Sequence, residues 1–134
     1  MQRKDRNVYS ISPSQLSNPV WKHLPLSNKV DENQISDMIL HESKLSIIFL
    51  SLSFFYEYPL YLKGRMEEFA KSADFKNYPN RFLLFLHDRS DPNDFFTEIM
   101  NMCFGYEIKM LVGFSYEEVA NYLRAFRFAS NNTR

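Results

Sequence analysis

The sequence predicts an α/β domain with a mixed, largely parallel central sheet and helices on both faces, and three observations carry that prediction. Strand-like and helix-like segments alternate along the chain with short links between them. The runs Leu45–Leu52 and Phe82–Leu86 are apolar almost throughout, without the in–out alternation of a half-exposed strand, as expected when both faces are covered. Helix starts (Asn18-Pro19, Asp91-Pro92 and Ser115-x-x-Glu118) fall between the strand candidates. At 134 residues the chain has material for one domain with its own core.

Taken in order, residues 1–7 are polar and charged and read as a loose arm carrying Arg3, Lys4 and Arg6. Val8–Ser12 is a short strand. Asn18-Pro19 opens a short helix, since Asn caps and a proline at the first helical position gives up only an N–H that had no partner; the helix from Val20 to Leu24 stops before Pro25. Ser27–Gln34 reads as polar loop and Ile35–Leu40 as a strand. After the buried strand Leu45–Leu52, a longer helix from Pro59 puts Leu62, Met66 and Phe69 on one stripe, with Tyr58 beside them. Phe82–Leu86 follows, then a helix in which Asp91 caps, Asp94 lies in the first turn, Phe95, Phe96, Ile99 and Cys103 form the stripe, and Gly105 closes. Ile108–Val112 is a third apolar strand. Ser115 and Glu118 form a capping box for a helix with Val119, Tyr122, Leu123 and Phe126 inward. The domain is expected to span residues 8–128, with a polar tail over 129–134.

Composition restricts function. Lys and Arg total 16, as do Asp and Glu, so the chain lacks the basic excess of a protein that coats nucleic acid, though a local basic patch is compatible with the balance. Aromatic residues make up 16% of the chain, enough that some rings are expected at a recognition surface. A single cysteine excludes an internal disulfide and suggests a reducing compartment. The charged N-terminus does not read as a secretory signal, and the longest apolar run, Leu45–Phe55, is too short to span a bilayer, so no membrane association is expected.

Signatures of catalysis are missing. With glycines only at 64, 105 and 113, no phosphate-cradling loop can be written, and no G-x-S-x-G elbow occurs. His23, His41 and His87 stand far apart without metal-ligand spacing, and Cys103 sits on an apolar helical stripe, where it reads as a small hydrophobe. Asp88, Asp91 and Asp94 are the best acidic cluster, and helix capping accounts for two of them. No catalytic residue, metal or cofactor is expected.

Three collinear stretches, Ile11–Leu24 (ISPSQLSNPVWKHL), Phe49–Phe69 (FLSLSFFYEYPLYLKGRMEEF) and Asp91–Phe126, resemble the central domain of the excision-repair cross-complementation group one family. Members of that family are small, non-catalytic partners of XPF-type structure-specific DNA endonucleases. The resemblance runs from about Val8 to Arg127. It implies an XPF-type, restriction-endonuclease-like fold that lacks a catalytic site. Active relatives use an Asp and, on the next strand, a Glu-Arg-Lys triplet to hold a metal. Here Asp37 stands near the Asp position, and the following strand reads Ile47-Ile48-Phe49-Leu50.

The resemblance further implies a groove that receives a Gly-rich segment of an XPA-type damage-verification scaffold, lined here by Asn18, Phe54 and Tyr61, with Phe54 in place of the family's usual Tyr. It implies contact with single-stranded or branched DNA through Arg65 and Lys63, to which the arm residues Arg3, Lys4 and Arg6 would add. Read as residues alone, Asn18 is equally a helix cap, Phe54 and Tyr61 equally core rings at strand–helix junctions, and Arg65 equally a solvated helix residue. The implied role is a nuclear adaptor subunit in nucleotide excision repair, with recombination and crosslink repair as further contexts. The tandem helix-hairpin-helix domain that usually follows in the family is expected to be absent, because the sequence ends at Arg134. The alternatives are a meiotic crossover-promoting relative paired with an inactive nuclease, an active metal-dependent nuclease centred on Asp37 or on Asp88, Asp91 and Asp94, and a protein-binding module without DNA contact.

Overall fold

The apolar run that begins at Leu45 forms β4 (Leu45–Ser51), the strand on which the sheet is organised. On one side β5 (Asn80–Leu86) pairs parallel to it along its whole length, and β6 (Lys109–Gly113) pairs parallel to β5. On the other side β3 (Met38–Leu40) runs antiparallel to β4, β1 (Tyr9–Ile11) antiparallel to β3, and β2 (Asn28–Val30) parallel to β1. The order is β2-β1-β3-β4-β5-β6, a mixed sheet. This computed structural model describes residues 9–15, 17–20 and 28–132, apart from the side chains of residues 9, 28, 29 and 127–132. The basic arm and most of the short helix expected at 20–24 lie outside the described residues.

Alternate residues of the central strands supply two cores, which is why their sequence shows no polar face. Ile48, Leu50, Leu83 and Phe85 pack under α1 (Leu52–Glu57), α2 (Tyr61–Ala70) and α4 (Phe95–Gly105), whose Phe55, Leu62, Met66, Phe69, Ile99 and Cys103 are buried against them. Leu45, Ile47, Leu84 and Leu86 pack on the opposite face against Val119, Ala120 and Leu123 of α5 (Tyr116–Asn132). Cys103 fills space as an apolar residue does; burial pushes its thiol up to about 12. Among the described residues no helix is long and apolar enough to cross a membrane.

Several element boundaries differ from expectation, each for a local reason. The apolar run does not continue straight: the Ser51 hydroxyl accepts the Phe54 N–H (3.1 Å) and Asp88 accepts the Ser53 N–H (2.9 Å), so the chain turns into α1 at residue 52. The strand expected from Ile35 shrinks to β3, because the N–H groups of Ile35 and Ser36 bond instead to the Asp74 carboxylate at 2.8 and 2.9 Å. Asp74 belongs to α3 (Ala73–Asn77), a short helix not foreseen and capped by Ser72. The polar stretch read as loop contains β2, whose place comes from pairing with β1 and not from apolar side chains. The helix from Pro59 begins at Tyr61, which leaves Tyr58 outside the stripe and 51% exposed. The third apolar strand is shifted by one residue, to Lys109–Gly113.

Helix ends were read correctly in kind and less well in detail. Asp91 caps α4 from a distance, its two oxygens accepting the N–H groups of Phe95 (2.9 Å) and Phe96 (2.8 Å). Asp94 is not in the first turn but at the cap position, with φ at 56°, a left-handed conformation that Asp tolerates better than most residues. Ser115 accepts the Glu118 N–H at 3.1 Å, while Glu118 reaches back to the N–H of Phe114 (2.6 Å), one residue earlier than a regular capping box. No Gly or Pro interrupts the residues after Phe126, and α5 continues to Asn132 through the stretch read as polar tail.

Two glycines give opposite expectations. Gly64 lies in α2 with open space where a Cβ would stand, so Gly64→Ala should raise stability in chemical denaturation by about 0.5–1 kcal/mol. A Cβ on Gly113 would stand 2.8 Å from the Val119 side chain and 3.3 Å from its backbone nitrogen, so Gly113→Ala should cost about 1–3 kcal/mol. Asp91 gives a pH dependence. Burial alone would raise its carboxyl, but the Phe95 and Phe96 N–H groups and the Tyr56 hydroxyl outweigh it and hold the group below the ordinary carboxylate range. A lowered folded pKa stabilises above the unfolded value and is lost as pH falls through the folded one. Asp91→Asn should therefore lower the melting temperature at neutral pH, and the gap to wild type should close below about pH 4.

Candidate functional site

At the carboxyl end of β4, where the chain leaves the sheet for α1, the structure holds an open cavity of about 410 Å³. Phe49, Leu50 and Ser51 of β4 line it, with Phe54 on α1 and Tyr61 on α2 on one side and Tyr116 at the start of α5 on another. Asn18 and Pro19 complete the rim together with the 3-10 turn Pro13–Gln15. Asn18 is rigidly placed: its Oδ1 accepts the Val20 N–H at 2.9 Å and its Nδ2 donates to Gln15 Oε1 at 2.8 Å. The cap function and the rim position thus belong to the same side chain.

The rings are set at angles that leave faces open. Phe54 meets Tyr61 edge-to-face, centroids 4.8 Å apart at 80°, and is 38% exposed. Phe49 and Tyr116 lie nearly parallel, 6.5 Å apart. The cavity thus has aromatic walls and an amide at its rim.

Behind Tyr61 runs a chain of charged and polar groups. Arg65, one turn along α2, donates from Nε to the Tyr61 hydroxyl (3.0 Å) and from Nη2 to Asp37 Oδ1 (2.6 Å). Asp37 Oδ2 accepts the Phe49 N–H at 2.7 Å, and Glu68 lies 3.4 Å from the guanidinium. Asp37 is 1% exposed, and burial pushes its carboxyl up against the opposing pull of Arg65 and of the Phe49 N–H. Burial alone would lower Arg65, but the Asp37 carboxylate outweighs it and holds the guanidinium charged. Tyr61 is pushed up, by burial first and then by Asp37.

Asn18, far in sequence from Phe54 and Tyr61, is therefore brought with them to one cavity. Arg65 is not on its open side: its side chain is only 12% exposed and engaged with Asp37 and Tyr61. Lys63 is exposed on α2, and Arg3, Lys4 and Arg6 lie outside the described residues. Asp88 accepts the Ser53 N–H, Asp91 caps the start of α4, and Asp94 accepts the Thr97 hydroxyl on one oxygen. Among the described residues no three His, Cys, Asp or Glu side chains stand close enough to hold a metal ion. Sequence reasoning missed Phe49 and Tyr116 as cavity walls and the Asp37–Arg65 pair. The four-residue spacing of Tyr61 and Arg65 was a legible signal for their contact; nothing local pointed to Asp37, 28 residues away.

The model of one protein family, described as the binding domain of DNA repair protein Ercc1 (rad10/Swi10), matches residues 6–133. Among solved structures, XPF from Aeropyrum pernix superposes with a TM-score of 0.69 at 13% identity, over 93% of this chain and 65% of that one. XPF from Aeropyrum pernix in complex with DNA gives 0.69 at 14% identity, over 96% of this chain and 67% of that one. The fold is thus the XPF nuclease-like α/β fold, and the chain spans about two-thirds of the length of those relatives.

Arg65→Met should leave a buried, uncompensated Asp37 and cost about 3–5 kcal/mol in urea unfolding at neutral pH. Because burial holds Asp37 up, the deficit should grow as pH rises through the carboxylate range and shrink in acid. Adding Asp37→Asn should recover much of the loss, since Asn can still accept the Phe49 N–H.

Proposed function

The chain belongs to the family of the binding domain of DNA repair protein Ercc1 (rad10/Swi10), and from that membership we propose that it is a non-catalytic adaptor for a DNA repair endonuclease. In this reading it stands beside an XPF-type catalytic subunit in the nucleus. Its cavity takes up a Gly-rich segment of an XPA-type scaffold and so brings the nuclease to damaged DNA. The observation that carries the reading is the convergence of Asn18, Phe54 and Tyr61 on one open, ring-walled cavity with an amide at its rim.

The absence of catalysis is supported by what occupies the corresponding positions. Asp37 is out of water with both oxygens engaged, by a guanidinium and by a backbone N–H, so a metal would have to displace Arg65 to reach it. The adjoining strand offers Ile47, Ile48, Phe49 and Leu50, none able to ligate a cation or activate water. In this reading a structural ion pair and an aromatic wall stand where an active relative would hold its metal.

DNA contact in this reading is secondary. Arg65 is committed to Asp37, which leaves Lys63 and the arm residues Arg3, Lys4 and Arg6 to meet phosphates, so binding of a single-stranded oligonucleotide should be weak and fall with salt as few released counterions require.

Titration of a synthetic Gly-rich scaffold peptide into the full chain and into Tyr61→Ala, followed by calorimetry, tests the assignment. The variant should bind at least about 10-fold more weakly, as the loss of a central aromatic contact implies. Equal affinities, or no binding to either protein, would remove the cavity as the peptide site.

A further inference from the structure

A second cavity, of about 490 Å³, opens at the carboxyl ends of β5 and β6, and the adaptor reading makes no use of it. It is lined by His87, which follows β5, by Val112 and Phe114 at the end of β6, and by Asp91, Asp94 and Phe96 at the start of α4. Crevices outside the carboxyl ends of strands are where open α/β sheets commonly take ligands. His87 and Phe114 face one another at 37° with centroids 5.3 Å apart, and Phe96 lies 6.2 Å from His87. Phe114 is 65% exposed, an unusual amount for a phenylalanine beside a cavity.

Charge decides what such rings would hold. Two carboxylates, Asp91 and Asp94, line the cavity beside the His87 imidazole, and the flanking segments 87–98 and 114–118 add Asp88, Glu98, Glu117 and Glu118 against one guanidinium, Arg89. Arg89 is stacked over the Tyr56 ring at 3.9 Å, outside the cavity lining. The N–H groups of Phe95 and Phe96, which would repel a cation at the start of α4, are taken up by Asp91, and two carboxylates exceed the roughly half charge of a helix terminus. Asp94 gives one oxygen to Thr97 and faces solvent. A nucleic-acid phosphate is disfavoured here, and a cation over ring faces is favoured.

We propose that this cavity captures an arginine side chain of a partner protein segment, its guanidinium laid against Phe114 and His87 and held by Asp94. A planar guanidinium suits the gap better than an ammonium because it stacks as well as pairs. The chain already makes this contact twice within itself, at Arg89 over Tyr56 and at Arg81 over Phe75, 3.6 Å from the ring centre.

The test uses the full chain labelled with nitrogen-15 and two blocked peptides, acetyl-Gly-Leu-Arg-Leu-Gly-amide and the same peptide with citrulline, which keeps the shape and loses the charge. The arginine peptide at millimolar concentration should shift the amide signals of His87, Phe96 and Phe114, and the citrulline peptide should bind about 5-fold or more weakly, as loss of a cation–π contact and a charged hydrogen bond implies. Phe114→Ala, an exposed position, and Asp94→Asn, which keeps a residue suited to positive φ, should each weaken binding by a similar factor. Equal shifts with the two peptides, no shift with either, or shifts confined to Asn18, Phe54 and Tyr61 would overturn the proposal. The last outcome would move arginine recognition to the first cavity without touching the adaptor reading.

Discussion

Asp37 and Arg65 sit 2.6 Å apart and mostly out of water, and they tie the entry to β3 to the helix layer above the sheet. Asp37 leads into β3 and binds the backbone of β4, while Arg65 belongs to α2 on the layer above. Burying two charges is expensive, and their attraction offsets that only when the geometry is good and the remaining lone pairs are filled. Here the second carboxylate oxygen takes the Phe49 N–H and the guanidinium also holds the Tyr61 hydroxyl, and burial still outweighs these contacts at Asp37. The pair therefore adds a polar tie to the apolar packing of Leu62, Met66 and Phe69 that holds α2 on the sheet, and Arg65 fixes the Tyr61 hydroxyl.

That dependence links stability to the shape of the first cavity. Phe54 is placed by the Ser51 cap at the start of α1, and Tyr61 by Arg65; their edge-to-face contact closes one wall of the cavity only if both supports hold. In this XPF nuclease-like fold, the buried carboxylate lies behind a wall of rings, tied to Arg65 and to the Phe49 N–H.

The neutral overall composition also takes on a different meaning in three dimensions. The first cavity presents an amide and ring faces with its charges tucked behind them, whereas the second, at the ends of β5 and β6, presents rings beside carboxylates. Two cavities with different electrostatics thus lie at the same end of the parallel strands.

Much of the fold was legible because its signals are local. The doubly covered strands follow from apolar runs without alternation, and the starts of α4 and α5 from Asp91 and Ser115, since burial pattern and capping act over a few residues. The chain by itself also determined that Asn18, Phe54 and Tyr61 were worth watching, through the family its motifs resemble. Only the tertiary structure decided that polar Asn28–Val30 is a strand, that Ile35 and Ser36 leave β3 for Asp74, and that Arg65 faces inward to Asp37. Each of those outcomes is a contact between residues far apart in the chain, and the energy of such a contact is written in neither residue's neighbours.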